Sequence, residues 1–129
     1  MGLKRNVPLS TALRYKGQGP YLTFILHRIG GAGMAIFITT HILATFVEKQ
    51  GWAIGDFIND IYMSPPFQIF ILFCVLFHAL NGLRITILDL FPQKLIPYHR
   101  TAIMIEWVVF IILFGFAAIS VVTTAIGRL

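Results

Sequence analysis

Long apolar blocks separated by short polar segments dominate this sequence. Three blocks, at 21–47, 65–91 and 101–127, are named here the first, second and third spans. About 20 apolar residues, rising 1.5 Å each, cross the roughly 30 Å hydrocarbon layer of a bilayer. The pattern therefore predicts an all-α integral membrane protein with three transmembrane helices.

The polar segments predict where the spans begin and end. Residues 1–20 predict a basic interfacial arm, 48–64 an outer loop and 92–100 an inner loop. Pro65 and Pro66 favour a helix start, because the first turn leaves its N–H groups unpaired and proline has none. Pro92 is typical of a helix end.

Composition and charge agree with a membrane protein. The charged fraction is 12%, against about 25% in soluble domains. The net charge of +5 would suit nucleic acid, but the basic residues flank the spans and form no stripe, so we expect no nucleic-acid binding. The arm and the inner loop are basic, whereas the outer loop carries Glu48, Asp56 and Asp60. The N-terminus is therefore predicted to be cytoplasmic, or on the matrix side in a mitochondrion.

Two features exclude other interpretations of the chain. The single cysteine, Cys74, excludes an internal disulfide framework, and we expect it to be a packing residue. The apolar block from Ile29 to Val47 has 19 residues, longer than the roughly 7–15 of a signal-peptide core. We therefore expect the N-terminal segment to be retained.

Polar side chains in the second span indicate chemistry, because they are costly in lipid. His78 and Gly82 lie one turn apart on one helix face, to which Asp89 returns. An imidazole beside a missing side chain suits axial ligation of a haem. Arg84, roughly 9 Å farther inward, could bind the haem propionates. A histidine hydrogen-bonded to a neighbouring helix explains the same spacing equally well.

The first span carries two further histidines. His27 and His41 are 14 positions apart, about four turns, and share a face. If Arg28 and Arg84 lie level at the inner boundary of the membrane, His41 is about 20 Å and His78 about 9 Å from that boundary. The two histidines are then about 10 Å apart along the membrane normal. The two cannot easily share one iron, because metal–imidazole bonds are about 2 Å long. A six-coordinate haem on His78 would then need its second ligand from another polypeptide.

Three sequence motifs give the chain a recognisable likeness. It resembles the cytochrome b membrane-anchor subunit, or C subunit, of succinate dehydrogenase and fumarate reductase. The motifs are Pro8-Leu9-Ser10 in the arm, Leu26-His27-Arg28-Ile29-x-Gly31 in the first span, and His78-x-x-x-Gly82-x-Arg84-x-x-x-x-Asp89 in the second.

The resemblance implies a role in respiratory complex II. In that family a flavoprotein subunit with FAD oxidises succinate, and an iron–sulfur subunit passes electrons to the membrane anchor, where quinone is reduced near the cytoplasmic face. A second small membrane-anchor subunit would supply the other haem ligand. The chain would be an enzyme subunit without a complete active site of its own. Its location would be a bacterial cytoplasmic membrane, or the mitochondrial inner membrane in a eukaryote.

The resemblance also implies roles for individual residues. His78 would be an axial ligand of haem b. Arg84 and Arg28 would hold the propionates or the quinone, with His27 beside them. Asp89 would assist quinone protonation or the docking of the iron–sulfur subunit.

The chain departs from the family pattern at three positions. Phe24 stands where the family has a serine, which leaves Thr23, about 100° round the helix, as the neighbouring hydroxyl for quinone. Ile85 stands where a histidine often follows the motif arginine. His41 resembles the first-span ligand of members with two haems. It is expected either to bind a second, distal haem or to be a core histidine bonded to a partner helix.

Two other function classes remain open from the sequence. One is a haem b anchor of another quinone-linked oxidoreductase, such as a formate or nitrate enzyme, which usually has more histidines in one chain. The other is a haem-free small transporter or assembly protein. Glu106 is expected to pair with Arg100 or to reach the interface, and His99 to be a solvated loop residue.

Overall fold

The described part of the chain is almost entirely helical. The computed structural model describes residues 19–127, so residues 1–18 of the predicted arm (1–20) lie outside it, and Gly19 and Pro20 of that arm begin the first helix. Its elements are α1 (Gly19–Lys49), α2 (Ala53–Met63), α3 (Pro65–Leu90), α4 (Pro92–Leu95), a 3-10 turn (Ile96–Tyr98) and α5 (His99–Ile126). No strand occurs among residues 19–127, and the all-α prediction is confirmed.

Three segments of the structure are long and apolar enough to cross a membrane. They are Pro20–Lys49, Pro65–Leu90 and Pro92–Ile126, which confirms the three predicted spans. Large apolar side chains such as Ile36, Phe116 and Ile119 are mostly exposed on these helices. Such surfaces are stable in contact with lipid or with other membrane helices, and would be unstable in water.

Helix α3 is central, because it packs against both α1 and α5. Glycines bring α1 close to α3. A Cβ atom added at Gly30 would lie 2.9 Å from the carbonyl oxygen of Cys74, and one at Gly33 would lie 2.9 Å from its Sγ. Cys74 is fully buried at this contact, which confirms it as a packing residue. Small residues thus allow the two backbones to approach closely.

Aromatic rings join α3 to α5. Phe110 of α5 meets Phe73 and Phe77 of α3 edge-on, with ring centroids 5.5 Å and 5.3 Å apart. Trp107 packs one turn away, 5.3 Å from Phe77. Edge-to-face aromatic pairs add about 0.5–1.5 kcal/mol each beyond the apolar area that they bury. These contacts fix the side of α5 that faces α3.

The outer connection, between α1 and α3, contains an amphipathic helix and is not a simple loop. Helix α1 ends in a Schellman motif at Gly51, whose φ is +79°. The Gly51 N–H donates to the Glu48 carbonyl at 2.8 Å, and the Trp52 N–H donates to the Val47 carbonyl at 3.3 Å. Helix α2 then occupies Ala53–Met63, where the sequence predicted a loop. Its apolar residues, Ile54, Phe57, Ile58 and Ile61, recur at helical spacing.

One face of α2 packs on the outer end of α1. Gly55 lies so close that a Cβ there would come 2.7 Å from the Ala44 carbonyl oxygen. One turn later, the Asn59 side-chain amide donates to the Glu48 carboxylate. The Tyr62 hydroxyl donates to Thr40 Oγ1 at 2.6 Å. Three residues at helical spacing therefore hold α2 against α1.

The contact at Gly55 gives a test of this packing. We expect Gly55→Ala to lower stability by about 1–3 kcal/mol, because the added methyl meets main-chain atoms that cannot move aside. The measurement is the thermal unfolding midpoint of the detergent-purified protein. The control is Gly115→Ala, since no atom lies within 4 Å of a Cβ at that position. An equal response of the two variants would contradict the packing described here.

Candidate functional site

The imidazole of His78 is enclosed by the first third of α1. Its Nδ1 lies 3.0 Å from the main-chain carbonyl oxygen of His27. Its ring stacks on the His27 ring with centroids 3.9 Å apart and planes 9° from parallel. On another side, a Cβ added at Gly31 would lie 2.8 Å from the Cε1 of His78. The ring therefore has little freedom to rotate.

The carbonyl contact determines which nitrogen of His78 carries the proton. A carbonyl oxygen only accepts hydrogen bonds, so Nδ1 carries the hydrogen and donates it. The neutral ring then keeps its lone pair on Nε2. Histidines that ligate metals usually have this arrangement, in which the other ring nitrogen donates to a carbonyl or carboxylate. The structure thus holds His78 in the tautomer that a metal ligand requires.

The described residues around His78 do not form a binding site for a free metal ion. Among residues 19–127, no three His, Cys, Asp or Glu side chains come together as ligands. His78 offers a single nitrogen, which suits a group that brings its own equatorial ligands, such as a haem. Gly82 leaves space on its side of α3, because among the described residues outside its own helix a Cβ there would have only His27 Cε1, at 3.6 Å, within 4 Å. His78 and the residues around it are therefore compatible with ligation of a haem iron by His78.

Arg84 lies in the interface between α3 and α5. Its Nε forms an ion pair of 2.6 Å with Glu106 Oε2, and the two side chains are only 9% and 2% exposed. Its Nη2 donates to Asn81 Oδ1 at 2.5 Å. The expected pairing of Glu106 with Arg100 is wrong: α5 turns Glu106 towards α3, and Arg100 stays exposed.

A cleft of about 340 Å³ opens between α1, α3 and the start of α5. It brings together four residues singled out from the sequence, namely Thr23, His27, Arg84 and Asp89. Asn81 and His99 also line it. His99, expected in a solvated loop, instead begins α5 and is half-buried.

The polar groups of the cleft differ in what they can still bind. Thr23 is fully buried, and its hydroxyl donates to the Pro20 carbonyl at 3.0 Å, so only its lone pairs remain free. Within the described residues, the buried Nδ1 of His27 has no hydrogen-bond partner. Asp89 is exposed at the inner end of α3. A ligand in this cleft would meet an acceptor, an imidazole, a guanidinium and a solvated carboxylate.

Arg28 is not part of the cleft. Its side chain is exposed, and its guanidinium lies 5.5 Å from the centre of the Phe24 ring, a cation–π distance. Since the His78 ring lies between His27 and Gly31, Arg28 is nearly level with His78. Arg84, six residues along α3, is about 9 Å farther inward. Arg28 and Arg84 therefore lie at different depths in the membrane.

His41 lies in a separate aromatic cluster in the outer half. Its ring is 5.3 Å from Phe37, nearly parallel to it, and 5.8 Å from Tyr62. The side chain is exposed. Because His78 stacks on His27, which is 14 residues before His41, the two sites are about 20 Å apart along α1. This separation exceeds the offset of about 10 Å expected from the sequence. The expected value was too small because it placed Arg28 and Arg84 at the same depth.

Two residues of the site, both noticed in the sequence as polar residues within a span, were given no role in it from the sequence. Asn81 is fully buried and supports Arg84, and Glu106 neutralises it from another helix. The spacing of Asn81 and Arg84, three residues apart on one helix face, was a usable signal. The partner of Glu106 depends on the rotation of α5 against α3, which no local pattern determines.

The chain is similar to one protein family and to a curated protein. The sequence model of the family described as "Succinate dehydrogenase/Fumarate reductase transmembrane subunit" matches residues 4–122. A similar curated protein is the "Succinate dehydrogenase 2 membrane subunit SdhC" of Mycobacterium tuberculosis. It is 28% identical over 103 residues, which cover 77% of this chain and 74% of that protein. The family match includes the first two spans, most of the third and every residue of the cleft.

Proposed function

We propose, since this chain belongs to the succinate dehydrogenase/fumarate reductase transmembrane subunit family, that it is the cytochrome b anchor of a succinate:quinone oxidoreductase. The observation that carries the proposal is the His78 imidazole, whose Nδ1 is held by the His27 carbonyl. That contact leaves Nε2 as the free ligand atom. A bound haem would supply a one-electron redox centre.

His78 would hold the haem iron through its Nε2. The His27 carbonyl fixes the tautomer, the His27 ring and Gly31 fix the ring plane, and Gly82 leaves room beside it. Arg28, level with His78 and exposed, is placed to pair with a haem propionate between α1 and a neighbouring subunit. The second axial ligand comes from a second small membrane-anchor subunit.

The cleft of about 340 Å³ is the quinone site of the proposal. Arg84 donates hydrogen bonds to a quinone oxygen, and His27 Nδ1, which lacks a partner among the described residues, offers a second polar contact. Thr23 contributes an acceptor oxygen. Asp89, exposed at the inner end of α3, would assist quinone protonation or the docking of the iron–sulfur subunit. Quinone reduction consumes two electrons, derived from succinate, and two protons, taken from the inner aqueous side.

An anchor subunit of this kind would also bind the two aqueous subunits of the enzyme. A flavoprotein subunit with FAD and an iron–sulfur subunit would dock on the face where α1 begins and α3 ends, next to the cleft. The basic inner loop and acidic outer connection support a cytoplasmic N-terminus in a bacterial cytoplasmic membrane. The aqueous subunits and the quinone site would then lie on one side.

His41 is the proposed ligand of a second, distal haem. Its ring is exposed between Phe37 and Tyr62, and no described residue bonds its nitrogens. Its separation of about 20 Å from the His78 level leaves room for an independent site. A hydrogen bond to a partner helix is the competing role for this ring.

Substitution of the ligand tests the proposal at its centre. We expect His78→Ala to remove the inner haem from the purified complex, because the substitution removes the nitrogen through which this chain would ligate the iron. The measurement is the reduced-minus-oxidised spectrum, normalised to flavin. In Gly31→Ala the added methyl pushes on His78 Cε1, so the haem should stay bound with altered electron paramagnetic resonance g values.

The matched control is Leu83→Ala, which shortens an exposed side chain on the same helix. Its spectrum should equal that of the unmodified complex. An unchanged spectrum in His78→Ala would refute the ligand assignment, whatever the activity of the variant.

Haem stoichiometry tests His41. We expect two haems per flavin in the unmodified complex and one in His41→Ala, because removal of the imidazole leaves the distal iron without its ligand from this chain. Ile42→Ala, at an exposed neighbouring position, should retain both. A ratio of one haem per flavin in the unmodified complex would assign His41 to packing with a partner helix instead.

A further inference from the structure

A buried polar cluster joins α3 to α5 beside the proposed quinone cleft. Asn81, Arg84 and Glu106 form it, and Asn81 and Glu106 are 0% and 5% exposed. A lone guanidinium in a membrane span is costly, so the Glu106 carboxylate neutralises a charge that the fold must otherwise accommodate. Stability alone, however, would not require Arg84 to face the cleft.

The contacts also fix the direction of the guanidinium. Its Nε meets Glu106, which lines a groove of about 500 Å³ between α3 and α5. Its Nη2 meets Asn81, which lines the cleft. The guanidinium therefore lies between the two spaces, with Nη2 on the cleft side. Of its five N–H groups, one on Nη2 donates to Asn81. Nε lies at ion-pair distance from the Glu106 carboxylate without an aligned hydrogen bond, so the three other Nη hydrogens are the ones that remain for a ligand.

We propose that Glu106 is a positioning residue for quinone reduction, which acts through Arg84 and makes no contact with quinone itself. This inference rests on the proposed function of the cleft. By holding Nε, Glu106 keeps the free Nη hydrogens directed at the cleft. Asn81 limits rotation from the other end of the guanidinium. Without the carboxylate, the long arginine side chain can turn towards the inner aqueous interface.

The test is the isosteric variant Glu106→Gln in the complete complex. We expect kcat/KM for quinone to fall about tenfold or more, since small misplacements of a binding group cost up to about 100-fold. The loss should appear mainly in KM. Succinate oxidation by a water-soluble dye that accepts electrons before the membrane subunits should be unchanged, as should the haem spectrum. Glu48→Gln, a glutamate in the outer connection, is the matched control and should retain full quinone activity.

A double substitution separates positioning from direct contact. Arg84→Gln should lower kcat/KM for quinone at least as much as Glu106→Gln. Adding Glu106→Gln to Arg84→Gln should then cause no further loss, because the group it positions is gone. A further loss of tenfold in the double variant would overturn the inference, as would full quinone activity in Glu106→Gln.

A conservative variant covers the case in which Glu106→Gln fails to assemble. Glu106→Asp keeps the charge but shortens the reach by one methylene, so KM for quinone should rise several-fold with the haem retained. An unchanged KM in Glu106→Asp would also overturn the inference. Failure of the proposed function looks different, because the unmodified complex would then lack the haem spectrum or quinone reduction altogether.

Discussion

Lipid offers no hydrogen bonds, so every polar group inside the three spans must find its partner within protein or a bound cofactor. The contacts of His78, Arg84 and Glu106 all follow from this constraint. His78 Nδ1 donates to a main-chain carbonyl of α1, the charge of Arg84 is paired with that of Glu106 on α5, and Arg84 Nη2 donates to Asn81. The polar atoms that remain free, His78 Nε2 among them, are therefore the ones to which a function can be assigned.

The close approach of α1 to α3 makes the His78 contact available. Gly30 and Gly33 allow the α1 backbone to lie against Cys74, and Gly31 leaves the volume that the imidazole occupies. A larger residue at these positions would separate the helices and lengthen the bond from His78 Nδ1 to the His27 carbonyl. The small residues of α1 thus belong to the site as much as the histidines do.

Local patterns were sufficient for part of this account. The length of the apolar blocks predicted three spans, and the spacing of His78, Gly82 and Asp89 predicted one functional face on the second span, with Arg84 farther inward. The sequence could not indicate how far each helix is rotated or shifted against its neighbour. Glu106 was therefore assigned to Arg100, and Arg28 was placed level with Arg84. Helix α2 was missed because the acidic residues of 48–64 outweighed the helical spacing of Ile54, Phe57 and Ile61.

The central claim is that an iron lies next to His78 and carries electrons from succinate. The most direct measurement is the visible spectrum of the purified, unmodified complex before and after addition of succinate. The account predicts a Soret band and the sharp α-band of low-spin haem b, both of which develop as succinate reduces the complex. A complex that oxidises succinate yet shows no haem absorption would contradict it.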